Sequence, residues 1–556
     1  ALGIIPGAGG TQKLPRLIGR ASALDLIAKA TRVDAEKALA LGMVDAVVPG
    51  DLRRAAVDLA RTYAGRKRRV IDLPVRDESG VEAALARATR NARPHVLAAI
   101  HHICQAGKVP ADVGLAAERE TFQRLRIAPE AKALRHIFFA EREAARGKPG
   151  RAVKPRPLDL FGVIGSGTMG AGIATAILQA GKPVVLIDTD PAALAKAIPR
   201  IEGAIDTGVA RGRLTAATAT AAKARLVTST DLTALAPCDV VIEAVFEDQD
   251  VKQALFARLD TVVRADAIVA TNTSYLDIDQ MAAVLSAPDR VIGLHFFSPA
   301  HIMKLLEIVR CAHSSDAAMA TGLWVAKLLG KQPVEAANAF GFIGNRIYAA
   351  YRAACEFMLE DGALPYQIDL ALEAFGFAMG PFAVADLSGL DIAWTMRRQK
   401  RAQWDLANRY VDIPDQLCEM GRFGRKTGAG YYLYDADGTK QRDPQVEALI
   451  IAASAQKAIV RQDLSAADIQ MRALAAIVNE AALLVAEGVA LRPGDVDVAL
   501  VNGYGFARWL GGPVHWAQQQ DPAVLAQACA QWVEISGPAR SLADLRVLGV
   551  QTGDTA

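Results

Sequence analysis

The sequence predicts an α/β domain in the middle of the chain and mainly helical segments on either side of it. Short β-branched runs alternate with helical stretches between residues 158 and 335, which is typical of βαβ units around a mostly parallel sheet. A glycine-rich turn, FGVIGSGTMGAGIA, opens this region, and the residues before and after the region show helical periodicity. The predicted fold class is therefore α/β combined with all-α.

Composition fits a large globular protein without an unusual partner. The 556 residues allow three or four domains of roughly 150 residues each. A net charge of +3 gives no reason to expect nucleic acid as a partner, and no apolar run reaches about 18 residues, so we expect no membrane span. Six cysteines lie far apart without a CxxC pair, which argues against disulfides and a metal site and for a reducing compartment.

Shifts in composition divide the chain into five predicted segments. The first is Ala- and Leu-rich with helical periodicity and a strand-like VDAVVP, and the second consists of long helices ending in a Pro- and Gly-rich linker, GKPGRAVKPRP. The third is the α/β region, with strands expected at LFGVIG, PVVLID, RLVTST, CDVVIEAV, AIVATNTS, RVIGLHFF and KLLEIV. The predicted segments are 1–95, 96–157, 158–335, 336–436 and 437–556.

The last two segments contain a diverged repeat. EDGALPYQIDLALEAFGFAMGP is echoed by AEGVALRPGDVDVALVNGYGFARWLGGP, and both run from an acidic residue and glycine through an [IV]-D-x-A-L core to G-F and G-P. Two copies of one helical unit explain this pattern.

The glycine-rich turn predicts a dinucleotide site. Gly165, Gly167 and Gly170 follow a strand and open a helix, and the next strand ends at Asp188, which is the arrangement that a βαβ nucleotide fold needs. The helix N-terminus supplies amide donors for the pyrophosphate at Thr168 and Met169. Asp188 can accept the ribose hydroxyls and would repel a 2′-phosphate, so NAD is the expected cofactor. The alternative is a glycine turn in an unrelated α/β domain.

A histidine and a glutamate in the same region form a candidate acid–base pair. His295 ends the strand-like run RVIGLH, and Glu307 interrupts the apolar run KLLEIV, where an unpaired carboxylate would be costly to bury. If the SPAHIM segment turns the chain back, the two side chains face one another. Oxidation of a hydroxyl needs a base of this kind. From spacing alone, a packed histidine and a structural ion pair are equally good explanations.

The motifs GxGxxG with Asp188, IEAVFED, TNTS, GLHFF, LLEIV, GFIGNR, MGPF and RFGRKTGAGYY occur in one order that resembles L-3-hydroxyacyl-CoA dehydrogenase. The first 95 residues, with LGIIPGAGGTQKLPRLIG, resemble the C-terminal part of a crotonase-type enoyl-CoA hydratase/isomerase. The whole layout is similar to the multifunctional fatty-acid oxidation enzymes, and FFSPAHIMKLLEIV is most similar to their peroxisomal-type bifunctional branch. This resemblance implies a partial crotonase-like domain, a helical linker, a Rossmann NAD-binding domain and a duplicated helical C-terminal domain.

The resemblance also implies roles for single residues. It makes His295 the base and Glu307 its orienting acid, and it places Asn345 and Ser274 beside the reacting oxygen of the substrate. It further implies cofactor contacts at the following residues: Glu247, Lys252, Ser298 and Lys426. Tyr275 departs from the family pattern, which usually has a small residue there, and is expected to narrow the acyl channel.

The N-terminal glycine run, IPGAGGTQ, is expected to play no part in nucleotide binding. In crotonases this turn lies just past the catalytic groups, so the resemblance implies that the catalytic glutamates precede Ala1 and that the chain is truncated at its N-terminus. Gly7 matches a glycine that helps to hold the reacting water. We therefore expect a parent protein with hydratase/isomerase activity and no hydration of 2-enoyl-CoA by this chain.

The predicted function is NAD-dependent oxidation of L-3-hydroxyacyl-CoA to 3-ketoacyl-CoA in fatty-acid β-oxidation. Two alternatives are a lysine-dependent dehydrogenase of small hydroxy acids and a dehydrogenase fold kept as a binding or structural protein. An acyl-CoA is the expected substrate, and a thiolase partner or a homo-oligomer is possible. A bacterial-type cytoplasmic location is expected, since the chain ends in GDTA and not in an S-K-L-type peroxisomal signal. A peroxisomal location stays open as the alternative.

Overall fold

The computed structural model describes residues 2–76, 80–151, 153–401 and 407–551. The chain forms two compact units, Ala1–Phe138 and Phe139–Ala556. The division falls inside a helix and not in the proline-rich linker.

The first unit is helical in its described part. Its helices are α1 (Gly10–Ile18), α2 (Arg20–Lys29), α3 (Ala35–Leu41), α4 (Leu52–Thr62), α5 (Val81–Thr89), α6 (Pro94–Gln105), α7 (Ala111–Ile127) and α8 (Pro129–Ala144), the last of which continues into the second unit. Apolar side chains of α1, α2, α5 and α6 form its core. The strand-like VDAVVP is a wrong prediction: its residues are irregular, because the described part of this unit has no strand with which it could pair.

The second unit begins with an eight-stranded sheet. Its strands are β1 (Phe161–Ile164), β2 (Val184–Ile187), β3 (Leu226–Ser229), β4 (Val240–Glu243), β5 (Ile268–Thr271), β6 (Val291–Phe296), β7 (Leu305–Arg310) and β8 (Gln332–Ala337). All seven predicted strands are confirmed, and β8 is additional. The strand order is β3-β2-β1-β4-β5-β6-β7-β8, and every pair is parallel except β6 with β7.

The strand order reverses at β1, which lies between β2 and β4. In open α/β sheets a crevice forms at such a reversal, beyond the carboxyl ends of the strands. The glycine-rich turn leaves β1 at this point.

Helices cover the sheet and bury its strands. They are α9 (Thr168–Gln179), α10 (Pro191–Ala210), α11 (Ala216–Lys223), α12 (Gln249–Val262), α13 (Ile278–Ala282) and α14 (Asp316–Leu328). β1, β2, β4, β5 and β6 are buried along their whole length, which is why they appear in the sequence as continuous apolar runs instead of alternating ones. Burying one such Val, Leu, Ile or Phe side chain contributes about 1.5–3 kcal/mol.

The rest of the second unit is mainly helical, apart from the short hairpin β9 (Leu433–Tyr434) and β10 (Lys440–Gln441). Its helices are α15 (Gly344–Asp361), α16 (Pro365–Phe375), α17 (Pro381–Ser388), α18 (Leu390–Arg401), α19 (Ile413–Glu419), α20 (Pro444–Gln456), α21 (Ala466–Ala486), α22 (Pro493–Gly503), α23 (Pro513–Ala517) and α24 (Pro522–Ser536). Within the described residues, α21 alone is long and apolar enough to span a membrane by length and composition. Of its most apolar stretch, 67% is buried, as in the core helix of a bundle.

The two copies of the predicted repeat share one hydrogen-bonded arrangement. Asp369 on α16 accepts hydrogen bonds from the amides of Phe382 and Ala383, at the start of α17, at 2.9 and 3.0 Å. Asp497 on α22 accepts from the Val514 amide, at the start of α23, at 2.7 Å. In both copies the conserved aspartate of the [IV]-D-x-A-L core therefore caps the helix that follows the G-P pair. This correspondence supports a duplicated helical unit.

Candidate active site

The three glycines of the turn after β1 have different surroundings. Gly165 has a φ of 95°, and a Cβ there would lie 2.5 Å from the backbone oxygen of Ala244. A Cβ at Gly170 would lie 1.7 Å from the Gly165 oxygen, so both positions exclude a side chain. A Cβ at Gly167 would meet nothing within 4 Å. The turn therefore leaves open space at Gly167, beside the N-terminus of α9, where Thr168 and Met169 begin the helix.

Asp188 lies beside this turn. Its Oδ2 accepts hydrogen bonds from the Ser166 amide at 2.7 Å and the Ser166 hydroxyl at 2.6 Å. Burial raises the pKa of Asp188, but these hydrogen bonds outweigh burial and hold the pKa below its usual value. The carboxylate is therefore ionised at neutral pH and can accept ribose hydroxyls, so the turn and Asp188 together fit the adenosine half of NAD.

The antiparallel pairing of β6 with β7 brings the predicted acid–base pair together. His295 and Glu307 are directly opposite each other in the ladder, and the His295 Nδ1 lies 2.7 Å from the Glu307 Oε2. His295 is 3% exposed and Glu307 is fully buried. Because the carboxylate accepts from Nδ1, the imidazole presents Nε2 as its basic atom. The rings of Phe297 and Phe342 pack against the imidazole, with centroids at 4.5 and 5.5 Å.

Two further contacts connect this pair to the rest of the site. The hydroxyl of Ser274, which follows β5, lies 3.1 Å from the His295 Nε2. The second oxygen of Glu307 accepts a hydrogen bond from the Gly344 amide at 2.9 Å. Gly344 is the first residue of α15, and Asn345 follows it. Glu307 therefore holds both the imidazole and the start of the helix that carries Asn345.

A buried lysine between two carboxylates lies next to Ser274. The Lys252 ammonium is 2.9 Å from Glu247 and 3.1 Å from Glu243, and Lys252 is 1% exposed. Glu247 also accepts from the Ser274 and Tyr275 amides, at 2.8 and 3.1 Å. Burial opposes ionisation of Glu247, but Lys252 and the hydrogen bonds keep its pKa below the usual value. The cluster anchors the backbone on which Ser274 lies.

The remaining predicted residues have other surroundings. Ser298 is exposed in the segment after β6, where its peptide bond to Pro299 is cis. Lys426 is exposed, and its ammonium pairs with the Asp391 carboxylate at 2.6 Å. The Tyr275 ring packs against Phe340, with centroids 5.1 Å apart.

Sequence reasoning missed two side chains of the site. Glu243 is fully buried and contacts Lys252, and it could have been found, because it ends the apolar run CDVVIE as Glu307 interrupts KLLEIV. The Tyr504 hydroxyl donates to the Asn345 Oδ1 at 2.6 Å. No local pattern marks Tyr504, since only the tertiary fold brings the second helical copy to α15.

Comparisons with known proteins agree with this architecture. The family model of the 3-hydroxyacyl-CoA dehydrogenase NAD binding domain matches residues 161–339, and that of its C-terminal domain matches 341–434. The enoyl-CoA hydratase/isomerase family matches residues 1–92. Among solved structures, 3-hydroxybutyryl-CoA dehydrogenase from Escherichia coli is 29% identical with a TM-score of 0.57, and the match covers 67% of this chain and 94% of that one. The dehydrogenase part of a multifunctional enzyme from Caenorhabditis elegans is 26% identical with a TM-score of 0.55, covering 75% and 96%.

Curated relatives match across nearly the whole chain. The peroxisomal bifunctional enzyme of Cavia porcellus is 38% identical over 547 residues, which cover 93% of this chain and 75% of the relative. The human peroxisomal bifunctional enzyme is 37% identical with the same coverage. A peroxisomal fatty acid beta-oxidation multifunctional protein of Arabidopsis thaliana is 34% identical, covering 96% and 76%.

These relatives correct the expected location. A bacterial-type cytoplasmic location is wrong, because the curated relatives are named as peroxisomal proteins. The matches over the sheet, the helical part and the N-terminal residues show that this chain belongs to the family of bifunctional fatty-acid oxidation enzymes, which join an enoyl-CoA hydratase/isomerase domain to an NAD-dependent 3-hydroxyacyl-CoA dehydrogenase.

Proposed function

We propose that His295 is the base with which this NAD-dependent dehydrogenase oxidises the 3-hydroxyl of an L-3-hydroxyacyl-CoA to a ketone. The observation that carries this proposal is the hydrogen-bonded chain Ser274–His295–Glu307, with contacts of 3.1 and 2.7 Å. General-base catalysis needs a carboxylate that orients the imidazole through one ring nitrogen and leaves the other nitrogen able to take a proton. Glu307 at Nδ1 and the Ser274 hydroxyl at Nε2 provide this arrangement.

NAD⁺, when bound, supplies the acceptor for the hydride that leaves C3 of the substrate. The residues that would hold it are the turn at Gly165, Gly167, Thr168, Met169 and Gly170, with Asp188 at the adenosine ribose. We place Glu247 and Lys252 on the nicotinamide side, because their cluster anchors the segment of Ser274, and we keep Ser298 and Lys426 as further candidates for cofactor contact.

The proton of the 3-hydroxyl moves to the Nε2 of His295 as the ketone forms. Glu307 stabilises the resulting imidazolium through Nδ1, and Ser274 holds the substrate oxygen at hydrogen-bond distance from Nε2. In the reverse direction, the imidazolium returns this proton to the oxygen of the reduced ketone. Asn345, at the start of α15, donates a hydrogen bond from its side-chain NH₂ group to the C3 oxygen of the substrate. This oxygen carries more negative charge during the reaction than before it.

The matched pair of variants His295→Gln and His313→Gln tests this proposal. His313 is exposed and lies outside the contacts described above, so its variant controls for a histidine change elsewhere in the same unit. We expect His295→Gln to lower kcat for acetoacetyl-CoA reduction, followed by NADH consumption, by about 10²–10⁴-fold. NADH binding, measured by fluorescence titration, should stay within about twofold, since the imidazole is not part of the glycine turn.

His313→Gln should leave both quantities unchanged. If His295→Gln retains more than a tenth of the wild-type kcat, His295 is not the base.

Location, assembly and domain limits are finer proposals. The relatives' names support a peroxisomal setting in fatty-acid β-oxidation, with an acyl-CoA as substrate. We keep the predicted limits 1–95, 96–157, 158–335, 336–436 and 437–556 as domain proposals. A homo-oligomer or a complex with a thiolase stays a prediction, which light scattering on the purified chain, alone and with added thiolase, would decide.

A further inference from the structure

We propose that Tyr504, in the second helical copy, is a positioning residue that fixes the side-chain amide of Asn345 for catalysis. This inference rests on the proposed role of Asn345 as a donor to the substrate oxygen. It is carried by a 2.6 Å hydrogen bond from the Tyr504 hydroxyl to the Asn345 Oδ1.

The hydrogen bond favours the orientation of the amide in which its NH₂ group points away from Tyr504. An asparagine side chain carries an acceptor oxygen and a donor NH₂ group on the same carbon, and rotation by about 180° exchanges them. A hydroxyl that donates to Oδ1 keeps the oxygen turned toward Tyr504, so the NH₂ group points the other way. Without this donor, the amide can turn its oxygen toward the substrate oxygen, and two acceptors repel each other.

The packing of the Tyr504 ring holds the hydroxyl in place. The ring contacts Phe297 and Tyr348, with centroids at 5.6 and 5.4 Å, and Phe297 in turn contacts His295. A Cβ at Gly344 would lie 2.3 Å from this ring, so the start of α15 and the ring fit closely because residue 344 has no side chain. Burial raises the pKa of Tyr504 well above its usual value, which keeps the hydroxyl protonated and available as a donor.

The first helical copy separates the role of the ring from that of the hydroxyl. Each copy has an aromatic residue immediately before its G-F pair, which is Phe375 in the first copy and Tyr504 in the second. Phe375 packs against Phe506 and Trp516, with centroids at 5.7 and 5.9 Å. A phenyl ring therefore suffices for packing at this place in the repeat. The hydroxyl occurs only in the copy whose aromatic residue reaches Asn345.

A double-mutant cycle tests the proposal on the full chain. We expect Tyr504→Phe to lower kcat for acetoacetyl-CoA reduction about tenfold and to leave the KM for NADH within about twofold. In an Asn345→Ala background, which removes the amide, Tyr504→Phe should have no further effect on kcat. Tyr348→Phe removes a hydroxyl from the same ring cluster and should leave kcat within about twofold. Concentrations of folded enzyme are taken from NADH titration, so that a loss of folded protein is not read as a loss of kcat.

The outcomes separate the two proposals. If Asn345→Ala retains the wild-type kcat, the proposed role of Asn345 fails. If Asn345→Ala lowers kcat but Tyr504→Phe changes it less than twofold, or lowers it by the same factor with and without Asn345, the positioning role of Tyr504 is wrong while the role of Asn345 stands.

Discussion

A single carboxylate connects two parts of the proposed active site. One oxygen of Glu307 holds the His295 imidazole at 2.7 Å, and the other holds the Gly344 amide at the start of α15 at 2.9 Å. Both donors need an acceptor, and a carboxylate offers one on each oxygen. This explains why a fully buried acid is tolerated in the apolar strand β7.

We expect Glu307→Gln to lower both kcat and stability. An amide has one acceptor oxygen, so its NH₂ group must face one of the two donors. Facing the Gly344 amide, it opposes donor to donor at a cost of about 1–3 kcal/mol; facing the imidazole, it donates to Nδ1 and moves the ring proton to Nε2, which removes the base. The loss of negative charge beside the imidazolium should lower kcat for acetoacetyl-CoA reduction by about 10²-fold or more. Steady-state kinetics and thermal unfolding measure the two effects.

Glu335→Gln is the matched control for this change. Glu335 is a buried acid on the neighbouring strand β8, where it pairs with Arg151 outside the contacts of His295. Its variant should lower the unfolding temperature and leave kcat nearly unchanged. A Glu307→Gln enzyme with wild-type kcat would contradict the proposed role of this acid.

At the scale of elements, Asp386 joins α17 to the segment that ends in β9. It is buried and accepts hydrogen bonds from the Tyr431 and Tyr432 amides at 2.9 and 3.0 Å and from the Tyr434 hydroxyl at 3.0 Å. Burial dominates over these hydrogen bonds and raises the pKa of Asp386 to about 6. The folded state therefore binds a proton here that the unfolded state, with the ordinary pKa of 3.8, does not bind between about pH 4 and 6.

This raised pKa predicts that Asp386 makes the folded state more stable as the pH falls. An aspartate in a surface ion pair has the opposite effect. The cost of the ionised Asp386 is fully present above pH 6, and it disappears as the pH falls through 6 toward 4. Between pH 7 and pH 5 the contribution of Asp386 should change by about 1 kcal/mol in favour of the folded state. Thermal unfolding of wild type and Asp386→Asn between pH 7 and pH 5 measures this change, because only the wild type can gain a proton at position 386. A difference in unfolding temperature between the two that does not change with pH would contradict the prediction.

The sequence predicts the elements of the sheet better than those around it. Six of the seven predicted strands are recognisable because burial makes them nearly continuous apolar runs, whereas β3 is a partly exposed edge strand recognised from its β-branched residues. The turn at Gly165–Gly170 is recognisable because two of its glycines allow no side chain. The strand-like VDAVVP is misread, because local composition does not reveal whether a partner strand exists. β8, with a proline and a buried glutamate in QPVEAA, lacks the apolar run that marks the other strands.

Residues of the candidate site are likewise predicted where a local pattern marks them and missed where only tertiary packing does. Buried charge in an apolar run marks Glu307 and could have marked Glu243, so one-dimensional patterns draw attention to residues that strands position. Tyr504 carries no such signal, because its position follows from the packing of two helical copies. Its contact with Asn345 is a tertiary property.

At the scale of the whole molecule, the residues proposed for the dehydrogenase all lie in the unit Phe139–Ala556. The other unit, Ala1–Phe138, contains the IPGAGGTQ turn. There Glu118 on α7 accepts from the Gly9 amide at 2.6 Å and the Thr11 amide at 2.8 Å, and the Phe122 ring would lie 2.8 Å from a Cβ at Gly7. The carboxylate at this turn is therefore used as a helix cap, and an apolar ring covers the glycine that matches the water-holding position.

The direct pairing of His295 with Glu307 across β6 and β7 has a consequence for tolerance to sequence change. The ladder determines which side chains meet, so the pairing of His295 with Glu307 depends directly on the alignment of the two strands. A slip of one residue in that alignment would turn one partner to the opposite face and separate His295 from Glu307. A one-residue insertion within either strand should therefore be inactivating.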